Sequence, residues 1–415
     1  MKILKNFFLY YIIISYFFPA PLRFLFSFIL GADILSYSLS IFLVLAMFVF
    51  KRKQILNAIN EYSWVFAYLI LLAIYSAAFE SLIMISFLFY MFIPFFFYIL
   101  YQKEILNFIN TSNKLLIVLL ILSSVGIIYD YYFDFPWKAL SFNVDGKDVE
   151  FAKNWSADGV ERVAGFYRSS EAAAIGTLLL AILIIYNSKN IIFHHLVFAL
   201  AFISVYITTT KGCLVSVILV YMVYLSQFIN KNFAKAAIFS LISVLCIAIV
   251  ILPLGLLQDV QVPFLNNSSL LDRINNEWPL LMNHFKSFTD YVLGLGIGAV
   301  GVPQKIYGNE NIFSPADNFF IYMYGNFGIA VLIIFKLVFS RLKKINNQLF
   351  LYITVFLFSY GVTTNIAEAP LGQLMIAISL CMSFNKPFEQ VEESYEQIEE
   401  TDISTNDYHY DLHKL

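Results

Sequence analysis

The chain has 415 residues, of which 60% are hydrophobic, 18% aromatic and only 13% charged, with a formal net charge of −2. Soluble globular domains are about 45–50% apolar and about 25% charged, so the composition excludes an ordinary soluble domain. The chain has no basic tract, hence no electrostatic footprint for nucleic acid.

Apolar runs of about 17–25 residues recur along the chain, each long enough to cross a hydrocarbon core about 30 Å thick. About twelve spans are predicted on that length criterion. They cover 7–30, 34–50, 62–79, 82–101, 113–132, 169–187, 190–208, 212–229, 233–253, 317–337, 347–364 and 367–384. The predicted fold class is all-α: a polytopic transmembrane helix bundle over 1–385 with two long extracytoplasmic loops, about 130–168 and 254–316. Residues 1–18 have the Lys2, Lys5 and apolar stretch of a signal peptide. Pro19, Pro21 and bulky neighbours make a poor cleavage site, so an uncleaved first span is expected. That span could break at the two prolines into a shorter helix plus an interfacial segment. Cys213, Cys246 and Cys381 all fall within apolar runs and read as buried small hydrophobes.

Orientation follows from the cations in short loops. Lys2 and Lys5, then Lys51, Arg52 and Lys53, Lys103, Lys189, Lys231 and Lys235, and Arg341, Lys343 and Lys344 all fall on one side of a twelve-span bundle. That side is the cytoplasm, and both termini join it. The tail 386–415 is acidic and too poor in apolar groups to fold alone, so disorder is expected. No internal repeat is visible.

The two long loops hold the residues with chemical potential. The first ends in Glu161-Arg162-Val-Ala-Gly165-Phe-Tyr167-Arg168, with Glu171 at the mouth of the next span. A guanidinium offers planar, bidentate donors suited to phosphate or carboxylate. The plainer reading pairs both arginines with Asp158, Glu161 or Glu171, or with lipid headgroups. Lys211 stands between two apolar runs, where a cation must be paired, snorkelled or facing water. The second loop carries Arg273, Trp278, the glycine run 294–301, and Asp317-Asn318 at the start of the next span. The glycines follow no βαβ unit, so a tight turn is preferred to a nucleotide site. Asp317 and Asn318 suit either a helix N-cap or a catalytic role. His284 is read as solvated. Trp137, Trp155, Tyr131, Tyr132 and Tyr167 could stack on sugars or form an interfacial aromatic belt. There is no Walker motif, HExxH or Cys/His cluster, and no Asp-x-Asp in the outer loops.

Four pieces in order resemble the O-antigen polymerase and O-antigen ligase-like family of bacterial membrane proteins. They are Arg162-Val-Ala-Gly165-Phe, Thr210-Lys211-Gly212, Arg273 with Trp278, and Gly294-x-Gly296-x-Gly298 leading to Asp317-Asn318 and Gly325-x-x-Gly328. With the topology, the likeness covers about 1–385. The family often has Ser-Arg where this chain has Thr210-Lys211, which keeps the charge and loses the bidentate geometry. Ligases of the family tend to carry a histidine where Asp317 stands, which favours a polymerase.

The resemblance implies a metal-independent membrane glycosyltransferase at the outer face of the bacterial inner membrane. The growing glycan on undecaprenyl diphosphate would pass to the sugar hydroxyl of a lipid-linked repeat unit. No cofactor and no nucleic acid are expected. The partners implied are the lipid-linked oligosaccharide, the bilayer, and a chain-length regulator and flippase of the same pathway. Expected catalytic residues are Arg162, Arg273, Glu171 and Asp317, with Arg168 and Lys211 binding the diphosphate. A ligase acting on lipid A core and a transporter or flippase are the alternatives. Asp33, Glu80, Glu171, Lys211 and Glu368 lie near predicted span ends, which counts against a buried ion pathway.

Overall fold

The computed structural model describes residues 2–31, 38–61, 63–138, 140–144, 147–153, 156–157, 160–229, 231–254, 269–308, 317–342 and 347–384. Among these residues the fold is built from α-helices, with strands confined to the first long loop. Among the described residues four helices are long and apolar enough to cross a membrane: Asn113–Tyr132, Ser170–Asn187, Lys211–Ile229 and Ala234–Leu254. Two bent pairs raise this to six. Other apolar runs form shorter helices, among them Ser63–Ala77, Ile191–Ile207, Gln348–Gly361 and Pro370–Ser383. The acidic tail lies outside the described residues.

The bends have identifiable chemical causes. Helices α1 (Lys2–Phe17) and α2 (Pro19–Phe24) meet at Phe18, and the two arms of this apolar stretch are bent by 100°. Pro19 supplies no N–H and starts the new helix. The freed Ala20 N–H donates to the Phe166 carbonyl at 3.2 Å, which ties the bend to the first long loop. Next come α3 (Ser38–Glu61) and α4 (Ser63–Ala77), then α5 (Leu82–Met91) and α6 (Ile93–Leu100), which are bent by 41°. Pro94 sits at this second bend. Gln373 enters the opened ladder: Phe95 N–H donates to its Oε1 at 3.0 Å, and its Nε2 donates to the Met91 carbonyl at 2.9 Å. One side-chain amide thus satisfies the two backbone groups that a straight helix would have joined.

After α7 (Gln102–Thr111) and α8 (Asn113–Tyr132), the first loop leads to α9 (Ser170–Asn187), the central helix of the bundle. It packs against α8 and against α10 (Ile191–Ile207), α11 (Lys211–Ile229), α19 (Gln348–Gly361) and α20 (Pro370–Phe384). Its start is rich in small residues, Ala172 to Ala174 and Gly176, which allow close approach by neighbouring groups. A side chain on Gly176 would strike the Tyr167 ring. Buried hydroxyl pairs join neighbouring helices: Ser204 donates to Ser124 at 2.9 Å and Ser359 to Ser216 at 2.8 Å. Buried Lys51, on α3, pairs with Glu104, on α7, at 2.7 Å.

The first loop is more ordered than its polarity suggests. It forms the hairpin β1 (Ser141–Val144) and β2 (Lys147–Glu150), then the short pair β3 (Ser156–Ala157) and β4 (Val160–Glu161). Trp137, Phe151 and Ala152 close around Ala20 as a small separate core.

The second loop follows α12 (Lys231–Ile251) and contains short helices: α13 (Ser269–Asp272), α14 (Trp278–Met282), α15 (Phe288–Leu293) and α16 (Val302–Tyr307). Ser287 and Asp290 form a capping box at the start of α15. The run predicted as one span over 317–337 is two helices, α17 (Phe319–Phe327) and α18 (Ile329–Leu342). They are parted at Gly328, whose φ of +61° ends α17.

Candidate functional site

The site is built on the turn between α19 and α20, residues 362–369. Arg273 begins a five-residue π-helical turn, Arg273–Glu277, between α13 and α14. Its Nη2 donates to Asp317 Oδ2 at 2.6 Å, and its Nη1 donates to the Thr363 carbonyl at 2.7 Å. Glu277 stands on the same turn, its Oε2 3.9 Å from Arg273 Nε. Trp278, the next residue, is fully buried and anchors this turn to the bundle.

The two readings of Asp317-Asn318 divide between the residues. Asn318 is the N-cap: its Oδ1 accepts from Phe320 N at 2.9 Å and Ile321 N at 3.1 Å. Its Nδ2 donates to the Val362 carbonyl at 3.1 Å, on the same turn that holds Arg273. Asp317, relieved of capping, is the ion-pair partner of Arg273.

The second arginine arrives from the first loop. Arg162 Nη1 lies 3.3 Å from Glu171 Oε1, in the first turn of α9. Glu161 pairs instead with Lys138, at 2.6 Å. The approach of this segment is fixed by Asp130, whose Oδ2 accepts from Ala164 N and Gly165 N, each at 2.9 Å. Gly165 has φ +62°, and a Cβ there would come within 2.9 Å of Ile127 N. Glycine is required by both conformation and space. Arg168 is half-buried just before the N-cap Ser169, and its carbonyl accepts from Lys153 N at 2.8 Å.

The two arginine centres belong to one end of the bundle. Tyr360, at the end of α19, is close enough to Glu171 and Arg162 to feel their charges, and Thr363 three residues on binds Arg273. The Thr210-Lys211-Gly212 corner packs there too, because a side chain on Gly212 would meet Thr363 Oγ1 and approach Tyr360. Thr209 holds φ +61°, an unusual conformation for a β-branched residue, and Lys211 is exposed as the first residue of α11.

Two further carboxylates stand in the cluster. Burial, reinforced by Asp317, pushes Glu277 up to about 7 against the opposing pull of Arg273. Burial also pushes Glu368 up to about 7, opposed by the Val302 N–H and by the charges of Lys153 and Lys305.

The structure thus brings Arg162, Glu171, Arg273, Asp317 and the Lys211 corner to one place. It moves other residues out of a sugar-binding role. Trp137 is buried against Phe135, with ring centroids 4.3 Å apart, and its Nε1 donates to the Gly165 carbonyl. Tyr167 is fully buried and hydrogen-bonded to Ser123 at 2.8 Å. Both are core residues, because the first loop folds back onto α8. Tyr131 and Tyr132 are exposed at the end of α8. Trp155 and Asp158 lie outside the described residues. His284 is half-buried.

The glycine run is a buried packed turn. Gly294, Gly296, Gly298 and Gly301 all have positive φ, and a Cβ on Gly294 would come within 2.6 Å of the Gly325 carbonyl oxygen. Sequence reading passed over Thr363, Tyr360 and Glu277 as site residues and treated Glu368 only as a span end. The signal available was the polar patch Thr363-Thr364-Asn365 with Glu368 between two apolar runs. Among the described residues, no group of three or more His, Cys, Asp or Glu side chains is arranged to hold a metal ion. Compared with known proteins, the chain matches no protein-family model, no curated protein and no solved structure.

Proposed function

We propose that this chain is a polymerase of O-antigen or a related surface polysaccharide. It transfers a growing undecaprenyl-diphosphate-linked glycan to a lipid-linked repeat unit at the outer face of the bacterial inner membrane. The observation that carries this reading is the pair of guanidinium groups, Arg162 and Arg273, each held by a carboxylate beside the same turn. The membrane-crossing helices supply the setting for a lipid-linked substrate.

Departure of a diphosphate concentrates negative charge on its oxygens. Fixed donors in a water-poor site stabilise that charge without reorganising, and removing one such donor typically costs about 3–4 kcal/mol of barrier. In the resting protein the carboxylates of Glu171 and Asp317 occupy the guanidinium faces that a diphosphate would take. In this reading Arg168, just before the α9 N-cap, and Lys211, at the start of α11, add positive charge for the diphosphate.

The test is the surface-glycan profile, by gel, of the source bacterium with and without the gene. Loss of the long ladder, leaving core plus one repeat unit, is the expected result. Polymer accumulating on its lipid carrier, with none on the core, would identify a ligase. An unchanged ladder would refute both.

A further inference from the structure

Transfer to a sugar hydroxyl needs a group to accept its proton, and the carboxylates of this site are not equivalent. Glu171 and Asp317 each lie against a guanidinium, at 3.3 Å and 2.6 Å. Each of these carboxylates already engages a guanidinium that the diphosphate would need. Glu277 shares the Arg273 turn, 3.9 Å from that guanidinium.

Glu368 differs in its setting. It ends the short 3₁₀ turn Ile366–Glu368, which Asn365 caps by accepting from Ala367 N. Its Oε1 accepts from Val302 N at 2.8 Å, and among the described residues it forms no ion pair. Gly301, with φ +96°, makes room for it: a Cβ there would meet Glu368 Oε1 and the Tyr322 ring. The charged groups that reach it are Lys153 from the first loop, Lys305 from α16, and Asp317. The carboxylate is therefore held in place through one oxygen, on the turn whose Thr363 carbonyl binds Arg273, with Lys153 of the first loop and Lys305 of the second near it.

We propose that Glu368 is the general base that takes the proton of the acceptor hydroxyl, a role that rests on the polymerase reading above. The acceptor oxygen forms a bond to the anomeric carbon of the donor glycan as its proton passes to Glu368. The bond from that carbon to the diphosphate oxygen breaks, and its electron pair leaves with undecaprenyl diphosphate. Protonated Glu368 then returns its proton to solvent.

The experiment measures chain extension by purified protein in lipid nanodiscs supplied with an undecaprenyl-diphosphate-linked repeat unit, across a pH series. Wild type is expected to speed up as pH rises through about 7 and then level off. Positioned general bases contribute about 10²–10⁴-fold, so Glu368→Gln should lose at least about 100-fold and the rising limb with it. Glutamine retains an oxygen for Val302 N, so donor-lipid binding should stay near wild type, and the melting temperature should match wild type at about pH 4.5 and exceed it at about pH 8. Glu368→Asp should keep the limb at a reduced rate. An active Glu368→Gln enzyme with the limb intact, alongside an inactive Arg273→Ala, would remove Glu368 as base and leave the polymerase reading standing. No extension by wild type would remove both.

Discussion

Arg273 bridges Asp317 and Thr363: one guanidinium nitrogen donates to the Asp317 carboxylate at 2.6 Å, the other to the Thr363 carbonyl at 2.7 Å. Asp317 precedes α17 and Thr363 follows α19, so one side chain connects the second long loop to the end of the bundle. Lysine can supply the charge but not both bonds in one plane. Arg273→Ala should lower the extension rate by about 10²–10³-fold, and Arg273→Lys should recover only part of it. Rates at matched membrane expression check this.

The same residues show what the sequence disclosed. Arg162, Arg273, Glu171 and Asp317 were legible because charged side chains are sparse in this chain and these fall beside apolar runs. The Arg162–Glu171 pair was among the pairings the sequence offered, whereas the Arg273–Asp317 pair was not, since it depends on the turn after α19 and on the second loop returning to the bundle. The helix breaks differ among themselves. Pro19 and Pro21 announced the first, whereas the break at Phe92 is completed by Gln373, 281 positions away in sequence from Phe92. Trp137 and Tyr167 misled because an aromatic in a polar loop looks available until the loop is seen to fold on its own small core.

Arg162 and Glu171 should be energetically coupled. Contacting ionised residues show interaction energies of about 0.5–3 kcal/mol in double-mutant cycles. Arg162→Ala, Glu171→Ala and the double variant should therefore have non-additive melting temperatures. Additive effects would mean that the 3.3 Å contact contributes nothing to stability.

Two glycines with similar backbone angles should respond differently to alanine. Gly31 and Gly165 have φ of +61° and +62°, but a Cβ on Gly31 meets nothing within 4 Å, whereas on Gly165 it crowds Ile127 N at 2.9 Å. Gly31→Ala should cost only the left-handed penalty, about 1–2 kcal/mol. Gly165→Ala adds a backbone clash and should yield far less folded protein. Thermal melts in detergent compare the two.

Gln373→Leu should destabilise the bundle out of proportion to its change in size. It strands Met91 O and Phe95 N at the α5–α6 bend, and each buried unsatisfied group costs about 1–3 kcal/mol. The additional substitution Pro94→Ala should restore part of the loss by letting the helix close its own ladder.

Glu277 should make stability depend on pH. Its carboxyl has an ordinary value of 4.5 and is pushed up to about 7 in the folded protein by burial and by Asp317. The native state then binds the proton more tightly than the unfolded chain, so stability falls as pH rises from about 4.5 through about 7. Glu277→Gln should therefore raise the melting temperature relative to wild type at about pH 8 and change it little at about pH 4.5.

The most direct measurement is release of undecaprenyl diphosphate together with glycan lengthening by the purified protein in nanodiscs. Lipid-linked repeat unit would be the sole substrate, and wild type would be compared with Arg162→Ala and Arg273→Ala. Wild type should lengthen the glycan and release one carrier per linkage formed, while both variants stay folded and inactive. Lengthening by the variants at the wild-type rate, or none by wild type, would contradict the central claim.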